Sequence, residues 1–242
     1  MSDFNIARKN MIQNQLMTNN ITEENILNAF NIIPRELFLP IDKKPRAYLD
    51  ENIEISSNRY LIEPRIISSI IKFSNITKEH QVLDLGCSTG YSSAILSMLS
   101  KKVYGVDNKG KLLDEASSNI KKLNIKNVKF IEKNPLDVID KRIDIIFIFG
   151  GVELVPINLI NCLKNNGGTL VTVLYKKNNI GNIHIIKKIN GKISRHNYIT
   201  AQIPILNEFK NRIPTITSWT NNSLAEHELK IHTVRQKMPQ TN

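Results

Sequence analysis

The stretch VLDLGCSTGY, residues 82 to 91, decides the fold, because an apolar run there breaks into a short loop that holds two glycines. An apolar strand followed by such a loop is typical of the first strand-to-helix turn of an open α/β sheet. Ligands bind at this turn, beyond the carboxyl ends of the strands. The residues between Asp84 and Tyr91 therefore indicate which ligand the protein holds.

Strands and helices are predicted to alternate from residue 81 onward. Apolar strands are predicted at 81–86, 102–107, 127–132, 143–150 and 167–175, and helices at 90–100, 109–124 and 156–164. A hairpin over 182–199 is predicted to turn at Asn190-Gly191. This pattern predicts an α/β fold with a mostly parallel sheet of seven strands, covered by helices on both faces.

The chain is predicted to have three regions. Residues 1–80 form an N-terminal helical extension, which is helical over 4–38, irregular over 41–63 and helical again from Pro64. Residues 81–206 form the ligand-binding core. Residues 207–242 form a polar tail, in which Ser223 and Glu226 resemble a capping box.

Composition excludes several classes of protein. The 242 residues are 41% hydrophobic, contain no apolar stretch long enough to span a membrane, and begin with no signal peptide. The two cysteines, Cys87 and Cys162, form no metal-binding cluster, so we expect a cytoplasmic protein without a metal site. The net charge of +11 is spread over a chain rich in Asn, Ile and Lys, which favours compositional bias over a nucleic-acid surface.

Two nucleotide-binding loops fail to match residues 84 to 91. A P-loop needs one more residue between its glycines and a following lysine, and a dinucleotide fingerprint needs a different glycine spacing. S-adenosylmethionine carries no phosphate, so its loop must only let the backbone approach the ligand closely. Asp84, Gly86 and Gly90 fit the usual acidic-x-G-x-G-x-G loop for this cofactor, with Ser88 in place of the middle glycine. A small residue such as Ser88 is tolerable there if its φ is negative, so this is a modest departure from the loop.

Two further polar residues follow the next strands. Asp107 ends the second predicted strand, where a carboxylate can accept hydrogen bonds from both ribose hydroxyls; its alternative role is that of a loop or cap residue. Asn134 follows the third strand and can contact the adenine amino group or simply form a turn. Together these residues predict a Rossmann-like, S-adenosylmethionine-dependent methyltransferase, with Cys87 and Tyr91 completing the cofactor loop.

The segments that flank the glycine loop narrow the range of possible methyl acceptors. FGGVELVP (149–156) lacks the Asn/Asp-Pro-Pro-aromatic turn typical of enzymes that methylate the amino groups of bases. ARKNMIQNQL (7–16), IIPRELFLP (32–40), AYLDENIEI (47–55) and GVELVPINLINCLKNNGGTLV (151–171) flank the glycine loop in order. Together they resemble the protein-L-isoaspartate O-methyltransferases over residues 7–206.

This resemblance implies methylation of isoaspartyl carboxylates in damaged proteins, which starts their repair. The family's Thr-Ile-Ser-Gln-Pro stretch, whose serine lies beside the reacting carboxylate, corresponds here to residues 60–64, and the chain departs from it. Ile62 replaces the serine, and Glu63 adds a negative charge near an anionic substrate. Arg59 or Arg65 could bind the carboxylate instead. The predicted substrate side comprises Tyr60, Leu61, Glu63, Pro64 and Glu153.

Alternative functions stay open at this point. The chain could methylate another carboxylate or a small molecule, or it could be a non-catalytic relative that binds the cofactor or nucleic acid. The intact set Asp84, Gly86, Gly90 and Asp107 argues against a pure binding protein. We expect a monomer that acts on isoaspartyl proteins, away from membranes and nucleic acid.

Overall fold

This computed structural model describes residues 3–137, 142–176 and 179–210. The described helices are α1 (Asp3–Met11), α2 (Glu24–Ile32), α3 (Pro64–Ser74), α4 (Tyr91–Ser97), α5 (Gly110–Lys122) and α6 (Ile157–Cys162). The strands are β1 (Ile53–Ser56), β2 (Arg59–Leu61), β3 (Gln81–Leu85), β4 (Lys102–Asp107), β5 (Val128–Glu132), β6 (Ile145–Val152), β7 (Gly168–Tyr175), β8 (Gly181–Ile189) and β9 (Lys192–Thr200). Short π and 3-10 segments occur at Ile12–Leu16, Met17–Asn19, Arg35–Phe38, Ile41–Arg46 and Asn207–Phe209.

Seven of these strands form one sheet in the order β5-β4-β3-β6-β7-β8-β9. The first five in this order are parallel, whereas β8 is antiparallel to β7, and β9 is antiparallel to β8. The chain runs outward from β3 to β5 and then returns to β6 on the other side of β3. The strand order therefore reverses between β3 and β6, which is where open α/β sheets bind their ligands.

Apolar side chains on the two faces of the sheet hold the layers together. One cluster joins the N-terminal helices, α3 and α4 to the sheet, and it includes Phe30, Ile66 and Phe147. The other cluster packs α6 against the opposite face, and it includes Ile146 and Leu159. β6 is buried along its whole length and β3 at all residues but its first, which explains why apolar runs, rather than alternating ones, predict this sheet correctly. The predicted α/β fold with a seven-stranded, mostly parallel sheet is confirmed.

One predicted irregular segment is ordered instead. Residues 41–63 contain a 3-10 segment and the antiparallel hairpin of β1 and β2, so the expectation of irregular structure was wrong for much of it. The hairpin reverses at Ser57 and Asn58, and Asn58 has a φ of 58°. Asparagine tolerates this left-handed conformation better than other non-glycine residues, which makes it a suitable turn residue.

The predicted tail lies largely outside the described residues. Residues 207 to 209 form a 3-10 segment, in which Phe209 is buried. The predicted cap at Ser223 and Glu226 lies outside the described residues.

Candidate functional site

The glycine loop turns sharply at the carboxyl end of β3. Gly86 and Gly90 have φ values of +76° and +89°, which side chains with a Cβ rarely adopt. The Gly86 N–H donates to the Val106 carbonyl at 2.8 Å, and this bond ties the loop to the neighbouring strand β4. The loop backbone is thus held open at the edge where the strand order reverses, as a cofactor loop requires.

Ser88 departs from its expected conformation. Its φ is +53°, so the negative φ on which its tolerance was expected to depend is not found. Ser88 lies between Gly86 and Gly90, which also have positive φ values, so the turn requires left-handed backbone at all three positions. Its N–H donates to Asp107 Oδ2 at 3.0 Å, which ties the turn to the end of β4.

Asp84 is a fully buried carboxyl group behind the loop. Its Oδ2 atom accepts hydrogen bonds from the hydroxyl groups of Ser92 and Ser93, at 2.6 and 2.7 Å. Burial raises the pKa of Asp84 to about 6, and the two serine hydroxyls lower it only in part. The side chain therefore fixes the first turn of α4 beneath the loop.

Asp107 ends β4 and is paired with Arg59. Arg59 Nε donates to Asp107 Oδ2 at 2.8 Å, and a terminal guanidinium nitrogen of Arg59 donates to Oδ1 at 3.0 Å. The same guanidinium group binds Glu208 at 2.8 Å, and only 1% of the Arg59 side chain is exposed. Both carboxylates raise the pKa of Arg59, although its burial opposes them. Arg59 is therefore engaged with the chain's own carboxylates rather than open to a substrate.

The predicted acceptor stretch lies against the glycine loop. Tyr60, Leu61 and Ile62 line one small cavity together with Gly86, Ser88 and other loop residues. The Ile62 side chain is buried and offers no hydrogen bond. The structure therefore brings together the glycine loop and the acceptor stretch, the two parts of the site that the sequence predicts separately.

Arg35 is a buried residue next to the site that the sequence analysis did not single out. It lies fully buried in the Pro-Arg-Glu-x-Phe segment, and it donates to the carbonyl groups of Ala47 at 2.6 Å and Ile62 at 2.8 Å. Its guanidinium carbon lies 5.1 Å from the centre of the Tyr91 ring. The signal that could have found it is an arginine in a segment whose other residues are mostly apolar. Arg35 fixes the backbone at the acceptor position.

Glu63 and Arg65 form a pair at the start of α3. An Arg65 guanidinium nitrogen lies 2.9 Å from Glu63 Oε1, and Arg65 remains 28% exposed. Burial raises the pKa of Glu63, and Arg65 acts against this rise. Pro64 is the first residue of α3. The negative charge that the sequence places near the substrate is thus offset by an arginine that solvent can still reach.

The other predicted residues serve local structure in this conformation. Asn134 Oδ1 accepts a hydrogen bond from the Leu136 N–H at 2.9 Å, as in a turn. Glu153 follows β6 and donates its N–H to the Phe209 carbonyl at 3.1 Å. Cys87 is buried in the loop, and burial raises the pKa of its thiol. Their predicted contacts with cofactor or substrate stay predictions.

The loop has buried polar atoms that a polar ligand such as S-adenosylmethionine could bind. Asp84 Oδ1 and Ser88 Oγ are buried, and within the described ranges neither has a hydrogen-bond partner. Buried polar atoms are nearly always paired, so these two atoms indicate a polar ligand at the loop. No group of three or more His, Cys, Asp or Glu residues able to hold a metal occurs in the part of the chain that the structure describes. None of its helices is long and apolar enough to cross a membrane.

Fold and loop together define the class of S-adenosylmethionine-dependent methyltransferases. The family model for protein-L-isoaspartate(D-aspartate) O-methyltransferase matches residues 6–207, which is most of the chain. The chain belongs to this family. The family, the enzyme class and the cofactor that the sequence predicts are thereby confirmed.

Proteins of this family from several organisms are similar to this chain in sequence or in structure. Protein-L-isoaspartate O-methyltransferase 2 of Shewanella sediminis is 32% identical over 170 residues, which cover 69% of each chain. The enzyme of the same name from Geotalea uraniireducens is 28% identical over 82% of this chain and 92% of its own. A solved structure of a putative protein-L-isoaspartate O-methyltransferase from Plasmodium falciparum, in complex with S-adenosyl-L-homocysteine, has a TM-score of 0.71. It is 20% identical and covers 83% of this chain and 98% of its own, and it supports the fold.

Proposed function

We propose that this chain transfers a methyl group to the α-carboxylate of L-isoaspartyl residues in damaged proteins, the step that starts their repair. The observation that carries this proposal is that the glycine loop and the acceptor stretch from Tyr60 to Ile62 line the same cavity. The family match also extends over both halves of the site, from residue 6 to residue 207.

The chemistry makes few demands on the protein. A carboxylate is ionised at neutral pH, so the enzyme needs no general base to activate it. S-adenosylmethionine supplies a methyl group on a positively charged sulfur, which a carboxylate oxygen can attack directly. The protein must therefore place the carboxylate in line with that methyl group and exclude water, which is catalysis by positioning.

The cofactor side of the site is assigned to the loop and the strand ends. Gly86, Cys87, Ser88 and Gly90 would approach the cofactor with their backbone, above the buried Asp84 and beside Tyr91. Asp107 would accept hydrogen bonds from the ribose hydroxyls, and Asn134 would lie nearest to the adenine.

Arg65 is the residue we assign to the substrate carboxylate. It is part-exposed at the start of α3, next to the acceptor stretch, and an arginine can bind a carboxylate through two hydrogen bonds. Its pairing with Glu63 holds the guanidinium group in place until a substrate arrives. Tyr60, Leu61, Pro64 and Glu153 would line the rest of the peptide site.

A second candidate keeps the reaction and changes the acceptor. Ile62 cannot donate the hydrogen bond that the family's serine supplies, and this favours a different carboxylate or a small molecule as substrate. The two candidates differ in whether a peptide with an isoaspartyl residue is methylated.

Methyl transfer from labelled S-adenosylmethionine to a short isoaspartyl peptide tests the proposal, with the matching aspartyl peptide as control. We expect base-labile label on the isoaspartyl peptide alone, because methyl esters hydrolyse readily in base. No label on either peptide, from a preparation that binds S-adenosylhomocysteine, would favour the second candidate.

We also infer that the chain works as a monomer in the cytoplasm. Both cysteines are buried as free thiols, which suits a reducing compartment. Light scattering on the purified protein would check the oligomeric state.

A further inference from the structure

The carboxylate assigned to the cofactor's ribose has no free acceptor position in this structure. Asp107 Oδ2 accepts from Arg59 Nε and the Ser88 N–H, and Oδ1 accepts from the Arg59 guanidinium and the Lys109 N–H at 3.1 Å. A carboxylate offers about four lone-pair positions. Two ribose hydroxyls can therefore bind Asp107 only if another donor leaves.

Arg59 is the donor that can leave. The Ser88 and Lys109 N–H groups belong to the backbone of the loop and of the turn before α5, whereas Arg59 reaches Asp107 through a flexible side chain. Arg59 also has a second anion, since the terminal nitrogen that donates to Asp107 Oδ1 lies 2.8 Å from Glu208 Oε1 and 3.0 Å from Asn108 Oδ1. When Arg59 releases Asp107, its charge remains paired with Glu208.

The part of the chain that carries Glu208 also packs next to the glycine loop and the end of β6. Residues 201–210, here called the crossing segment, pass over the end of β6, where the Gly151 N–H donates to the Pro204 carbonyl at 2.8 Å. Leu206 lies so close that a Cβ on Gly150 would come within 2.5 Å of its Cγ. The cavity at the loop has a volume of about 20 Å³, room for roughly one water molecule, whereas ligand pockets span about 300–1,000 Å³.

We propose that Arg59 competes with the ribose of the cofactor for Asp107, so that the pairing of Arg59 with Asp107 and Glu208 sets the affinity for the cofactor. The proposal rests on the cofactor site proposed above. In the closed state, Arg59 takes the position of the ribose, and Glu208 holds the crossing segment over the loop. The cofactor binds only the fraction of molecules in which Arg59 has left Asp107, and the apparent dissociation constant rises accordingly.

Calorimetric titration with S-adenosylhomocysteine tests this directly. This probe lacks the positive charge on sulfur, so a change in the charge of the site does not attract or repel that atom. We expect Arg59→Gln to bind it about tenfold more tightly than the wild type. Arg59→Lys keeps the charge but cannot form two parallel bonds with a carboxylate, so it should show a smaller gain in affinity. It provides an independent test if Arg59→Gln does not fold.

Two controls define the result. Arg46 forms a similar two-bond pair with Glu51 at an exposed place outside the site, so Arg46→Gln should leave the affinity unchanged. In a chain that carries Asp107→Asn, the further change Arg59→Gln should no longer improve binding, because the competition needs the carboxylate.

The possible outcomes separate this proposal from the proposed function. Unchanged or weaker binding in both Arg59 variants overturns the competition and leaves the methyltransferase function standing. Absence of binding in the wild type and in every variant, with each shown by circular dichroism to be folded, overturns both.

Discussion

Ile62 stands where the family has a serine, so the chain lacks a hydroxyl group at that position. We expect Ile62→Ser to raise kcat/KM for an isoaspartyl peptide by about tenfold, because a hydrogen bond to a charged group contributes about 1.5–3 kcal/mol. The Arg35 bond goes to the Ile62 carbonyl and survives the change. Initial rates with the peptide as the varied substrate measure the effect.

Ile55 offers a matched control for this substitution. It is buried, lines the same cavity and comes from β1 rather than from the acceptor stretch. Ile55→Ser makes the same chemical change away from the serine's position, so it should give no gain. An equal gain in both variants would show that a looser cavity, and not the hydroxyl group, raises the rate.

Asp84 makes stability depend on pH in an unusual direction. Its pKa is raised from 3.8 to about 6 by burial, so the folded chain holds this proton more tightly than the unfolded chain does. Its favourable contribution to the free energy of unfolding is complete below pH 4 and is lost as the pH rises through 6. Asp84→Asn cannot lose a proton. The stability of this variant relative to the wild type should therefore increase by about 2 kcal/mol between pH 4 and pH 7.5.

Urea unfolding of both proteins at pH 4, 6 and 7.5 measures that difference. Asp114→Asn, on the exposed face of α5, is the control and should show a nearly constant difference from the wild type. A difference between Asp84→Asn and the wild type that stays constant over this range would contradict the assigned pKa.

At the scale of elements, Arg35 joins three segments that are distant in sequence. It links the 3-10 segment Arg35–Phe38 to Ala47 and to the end of β2. Arg35→Met would leave buried carbonyl groups without donors, and we expect it to cost about 3 kcal/mol or more and to lower Tm by about 10 °C. Thermal unfolding followed by circular dichroism measures the loss.

Arg46, the exposed arginine that serves as a control for Arg59, is also the control for Arg35. Arg46→Met removes an exposed pair, which typically contributes less than about 1 kcal/mol. A loss of Tm in Arg35→Met no larger than in Arg46→Met would show that Arg35 does not hold these segments together.

At the scale of the whole molecule, the sheet could be predicted well and the contacts across the site could not. β3, β4 and β6 are runs of apolar residues bounded by turns, and that local pattern is sufficient to recognise buried parallel strands. The hairpin of β1 and β2 is short and partly polar, so only Asn58 at its turn signals it. Local periodicity carries too little information for such an element.

The contacts of Arg59 show the limit of sequence reasoning most clearly. Its partners Asp107 and Glu208 lie 48 and 149 positions away, and no spacing rule connects residues that far apart. The predictions therefore include both Arg59 and Asp107 and assign them to different ligands, whereas the structure joins them to each other. Ser88 is a smaller case, since its backbone conformation follows from the loop and not from the residue type.

Repair itself is the most direct test of the account. A methyl ester on an isoaspartyl α-carboxylate loses methanol when the adjoining backbone nitrogen attacks it, and the cyclic imide then opens with water to give aspartyl or isoaspartyl peptide. Chromatography of an isoaspartyl peptide incubated with the protein and S-adenosylmethionine should therefore show the aspartyl peptide accumulating as the isoaspartyl form declines. An isoaspartyl peptide that stays unchanged, in the presence of protein that binds S-adenosylhomocysteine, would contradict the account.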